Sequence, residues 1–106
     1  MGTRDRQATA QRVADAHRFA ERVFRRRLVD EASSSYLEWR ESSASVRDAY
    51  RGWSQARASD AGPAFLAYQA ALDQEQRASE LYADVWRRAQ RLLGASGFTA
   101  ALERAR

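Results

Sequence analysis

The chain has 106 residues, which sets it in the range of one small domain without a second core. It contains no cysteine, which excludes disulfides, thiolate catalysis and Cys-ligated metals, and no apolar run approaches the roughly 18 residues of a membrane span. All 18 cations are Arg; with 14 acids the formal net charge is +4, and the charges are segregated along the chain.

Residues 1–29 carry eight Arg against three acids, residues 30–86 five Arg against ten acids, and residues 87–106 five Arg against one acid. Bringing the N-terminal helix beside the C-terminal one would merge the two basic ends into a single patch. Ala occurs 22 times while Lys, Ile and Asn are absent, the codon bias of a GC-rich bacterial genome. So much Ala leaves a thin core led by aromatics, a composition that points to self-association or a partner. The start, MGTRDRQATAQR, lacks the apolar segment of a cleaved leader, so a cytoplasmic protein is expected.

A helix is predicted over about 8–31, where Val13, Ala16, Ala20, Val23, Phe24 and Leu28 recur at spacings of three and four and Phe19 widens the arc. Opposite that arc, Arg18, Arg22 and Arg25, with Arg26 nearby, form a basic stripe whose self-repulsion an acidic partner would relieve. Ser33, Ser34 and Ser35 then interrupt the good helix formers, and Ser35 with Glu38 fits a capping box that opens a second helix over about 36–58. The alternative is a long two-helix hairpin in which a coiled-coil stutter between Leu28 and Trp39 replaces the break.

Over 36–58, Tyr36, Trp39, Ser43, Val46, Tyr50 and Trp53 line one narrow seam, and its four aromatic rings should organise whatever packs there. Ser59-Asp60-Ala61-Gly62-Pro63 is the one concentrated turn signal, with Pro63 suited to the first position of a helix over about 63–93. That helix presents Phe65, Tyr68, Leu72, Tyr82, Val85, Trp86 and Leu93 on one side, and Gly94 should cap it. Residues 97–105, with Phe98 and Leu102, add a short helix folding back.

Candidate chemistry is sparse. His17 and Glu21 share a helix side at a spacing that offers two metal ligands, but the Glu-x-x-His pairs of carboxylate-bridged di-metal bundles are absent, so a polar contact is expected and no metal or other cofactor. The acids fall mostly on outer faces, where nothing tunes them for proton transfer, so no enzyme activity is predicted. The helical-hairpin layout with a Trp near its turn resembles the small secreted hairpins of type VII secretion systems. The residues that define that family are different here: Ser54-Gln55 follows Trp53 without the Gly, and no Tyr has an acid four residues on, so membership is not assigned.

The resulting expectation is an all-α antiparallel bundle of three main helices, completed by oligomerisation. Its use would be as a protein–protein interaction module, self-associating or docking a helical partner through the aromatic seam or the surface beside it. Arg18, Arg22, Arg25, Arg26, Phe19, Val23, Arg87, Arg88 and Arg91 are the candidate partner-binding residues. Nucleic-acid binding by the clustered Arg of the two ends is the second reading, and no membrane contact is expected.

Overall fold

A computed structural model describes residues 2–105, which form three helices and no strand: α1 (Thr3–Ser54), α2 (Ala61–Leu93) and α3 (Ala95–Ala105). The expected break at Ser33–Ser35 does not occur. α1 runs through it as one helix of 52 residues, about 78 Å long at 1.5 Å per residue. Ser33 and Ser34 are exposed on the helix surface, while Ser35 has a small side chain that fits the packed interior and a hydroxyl that bonds within the helix. Ser35 is buried and donates to the Ala32 carbonyl at 3.1 Å, and Ser42 likewise donates to that of Glu38 at 2.9 Å. Ser35 therefore serves as an interior contact rather than as a cap. Serine's modest propensity penalty is outweighed by the packing on either side of it.

The chain turns between Ser54 and Ala61, a few residues earlier than the sequence suggests. Gln55 N–H donates to Arg51 O and Asp60 N–H to Arg57 O, closing the turn. Pro63 stands third in α2 rather than first. Its missing N–H costs nothing there, because the first four amides of a helix have no acceptor within it.

Contacts between α1 and α2 follow a strict reversal of direction. Trp53 meets Phe65 and Tyr68, Tyr36 and Trp39 meet Tyr82, and Glu31 pairs with Arg88. The seam read from the sequence is thus the face that α1 turns to α2. It is built from two equivalent clamps. Tyr36 and Trp39 close on Tyr82 with ring centroids 5.6 and 5.7 Å apart, and Tyr50 and Trp53 close on Tyr68 at 5.6 and 5.5 Å. Residue numbers differ by 14 between the clamps on both helices, two heptads, which keeps the same faces together along the pair.

Gly94 then adopts φ 74°, a conformation that favours glycine, and redirects the chain into α3. The buried apolar core lies where all three helices meet: Leu28, Val29 and Ala32 of α1, Val85 and Ala89 of α2, Phe98 and Ala101 of α3. Phe98 is completely enclosed and meets Trp86 edge-on with centroids 4.6 Å apart. Trp39 and Trp53, by contrast, are half-buried.

The expected bundle of three main helices is corrected in shape. The molecule measures 87 × 22 × 21 Å with a radius of gyration of 23.0 Å, against about 13 Å for a compact domain of this length. The excess comes from α1. From Gly2 to Phe24 every residue except Ala14 is exposed, and Thr3 to about Ala20 projects past the other helices by roughly 27 Å.

Candidate interaction surfaces on α1

Why a segment without neighbours stays helical is answered locally. Ala-rich sequence supplies propensity, Asp5 lies in the first turn where the helix dipole favours an acid, and polar pairs one turn apart run along the surface. Gln11 donates to Asp15 at 3.0 Å, Arg18 pairs with the same carboxylate, and Arg25 reaches Glu21 at 3.5 Å. His17 Nε2 stands 3.0 Å from Glu21 with both side chains largely exposed, a helix-side contact. Among the described residues no group of three or more His, Asp or Glu side chains is placed to hold a metal ion.

An unbroken α1 changes the meaning of both stripes read from its first half. Advancing by about 100° per residue, Arg18, Arg22 and Arg25 continue the line of Val29, Ala32, Tyr36 and Trp39. The basic stripe is therefore the prolongation of the seam, with Arg25 beside the end of α2 at Leu92 and Leu93 and Arg18 continuing past it. Val13, Phe19 and Val23 lie roughly a third of a turn of the helix or more away from that line. They are 64%, 62% and 37% exposed. Leu37, 60% exposed, extends their stripe into the second half of α1. Leu37 also borders a groove with Tyr36, Tyr82, Trp86 and Leu102, so this stripe runs beside the seam, on the flank that α2 does not cover.

The candidate cations divide. Arg22, Arg25 and Arg26 meet Arg104 of α3 around a shallow cleft of about 360 Å³ that also holds Asp30. The two basic ends of the chain do come together, but the C-terminal contribution is Arg104. Sequence reasoning passed over it because a single Arg on a short helix forms no run. Arg87 is paired with Asp84 and Arg88 with Glu31, while Arg91 forms no ion pair among the described residues; none of the three lines the cleft. Reversing the charge of Arg18 and Arg22 together should leave helicity by circular dichroism within about a tenth of its original value, because exposed charges contribute little to stability. Loss of the fold would mean that the seam's prolongation is structural.

No helix of the described residues is long and apolar enough to cross a membrane. No protein-family model, curated protein or solved structure matches this chain.

Proposed function

We propose that this chain is a small α-helical protein–protein interaction module of the cytoplasm that self-associates or docks a helical partner, and that it has no catalytic role. The observation that carries this is the uncovered apolar stripe Val13–Phe19–Val23 on a helix projecting past its neighbours. Apolar side chains repeated along one helix face, clear of the chain's own core, fit an interface. The surface proposed is this stripe and not the aromatic seam, because the seam's rings are already engaged with α2.

A photo-crosslinking side chain placed at position 19 in the producing cell tests the reading. A discrete protein adduct, this chain or another, that Val23→Glu abolishes is the expected result. Absence of any protein adduct would overturn it.

The arginine cleft between α1 and α3 favours a second reading, capture of a nucleic-acid backbone. That reading requires binding that weakens steeply with salt, the slope of log K against log salt approaching about 0.9 per phosphate contacted. Salt-independent or undetectable binding to duplex and single-stranded probes eliminates it.

A further inference from the structure

We infer that the occupant of the uncovered α1 face is a second copy of this chain, lying antiparallel along α1 about a two-fold axis close to Asp30. This inference rests on the interaction reading above and names its partner. The face changes sign along its length. In the first half, Arg12, Arg26 and Arg27 flank the stripe of Val13, Phe19 and Val23. In the second half, Leu37 continues the apolar line among Asp30, Glu41 and Asp48, all within a sector of about 140° at roughly 100° per residue. A single straight helix cannot bring Arg12 to Asp48 or Arg27 to Glu41, so these opposite charges cannot meet within one chain, although Asp48 pairs locally with Arg51 and Asp30 borders the arginine cleft. Consistent with that, Arg26, Arg27, Asp30 and Glu41 take part in none of the intrachain ion pairs among the described residues.

An antiparallel copy satisfies both halves at once. Arg12 comes opposite Asp48 and Val23 opposite Leu37, with Phe19 one turn from the same leucine. The two Asp30 carboxylates meet at the axis, where Arg26 and Arg27 of the partner stand within a turn of each. A parallel copy would instead set Arg12 on Arg12 and Asp48 on Asp48, like charge on like. An unrelated acidic helix would suit the first half and be repelled by the second, and a nucleic acid would meet the same carboxylates. Length agrees as well. The midpoint of Thr3–Ser54 falls between residues 28 and 29, beside Asp30, so the antiparallel match uses the whole of α1 and lays each projecting end over the partner's second half. The thin hairpin then becomes one half of a four-helix assembly, which supplies the bundle that the single chain lacks.

The absence of cysteine makes the test clean, because any introduced thiol is unique. Light scattering at micromolar concentration should give twice the 12.0 kDa of the chain. On mild oxidation the double variant Val23→Cys with Leu37→Cys should form a covalent dimer while neither single variant does; within one chain the two positions are roughly 21 Å apart along α1, too far to bridge. Arg12→Asp and Asp48→Arg should each raise the dimer dissociation constant about tenfold, since the symmetric interface contains each pair twice, and together restore it. Three results overturn the inference: a mass of 12.0 kDa unchanged over a tenfold concentration range, cross-linking by Val23→Cys alone, which marks a parallel pair, or no recovery in the charge-swapped double variant. A monomer whose position 19 still cross-links to a different protein refutes self-pairing alone; a monomer with no protein adduct refutes the interaction reading too.

Discussion

Replacing Phe98 by Ala is expected to lower the free energy of unfolding by about 3–5 kcal/mol, the range for large aromatics removed from packed interiors. Among the described residues Phe98 is the one large side chain with no measurable exposure, and it closes the three-helix junction against Trp86. Only seven residues form the buried apolar core among those described, and two of them, Phe98 and Ala101, belong to the eleven-residue α3. Removing the ring leaves a cavity beneath α3 and little to hold that helix, which is too short to persist alone. Against a total stability of about 5–15 kcal/mol for a small domain, the variant should be partly unfolded at room temperature. Urea denaturation followed by circular dichroism measures it. A loss under about 1 kcal/mol would show that α3 rests on the hairpin without supporting it.

The second large effect concerns the two clamps. Trp39→Ala and Trp53→Ala should each cost about 2–3 kcal/mol, below the value for fully enclosed aromatics because both indoles are half-buried. Each loses a near-parallel stack on one tyrosine, at 11° for Trp39 on Tyr82 and 17° for Trp53 on Tyr68. Trp39 also loses the indole N–H that donates to Glu75 at 3.1 Å, while Trp53 loses its contact with Phe65 beside the turn. The clamps lie about 21 Å apart along α1 and share no ring, so the double variant should lose the sum of the two within about 0.5 kcal/mol. Strong non-additivity in guanidinium unfolding would mean that the pair of helices zips as one unit, with the first clamp required for the second.

The aromatic seam was legible because its signal is periodic and heavy: six positions at spacings of three and four, four of them rings, admit one face of one helix. The turn before Pro63, the cap at Gly94 and the returning helix with Phe98 were legible for the same kind of local reason. What misled the reading was Ser33–Ser35. Serines at a change of apolar face look like a boundary, and the arc of Val13 to Phe24 does lie on a different side of the helix from the seam of Tyr36 to Trp53. A local signal cannot distinguish a helix that ends from one whose neighbours change sides. Arg104 escaped for a related reason, since its importance comes from where α3 folds back and not from its neighbours in sequence.

By itself, then, the sequence determined the helical class, the seam that joins α1 to α2, the existence of a turn ahead of Pro63 and the segregation of charge, because each depends on spacing within a few turns of one helix. Tertiary structure decided that α1 is continuous, that the core sits at the three-helix junction and not under the tryptophans, and that the arginines of α1 prolong the seam while Phe19 and Val23 face away from it. These outcomes depend on the lengths of α2 and α3 relative to α1. Burial around residues 28–36 outweighs the serines' propensity there, and no partner helix reaches the residues before Glu21.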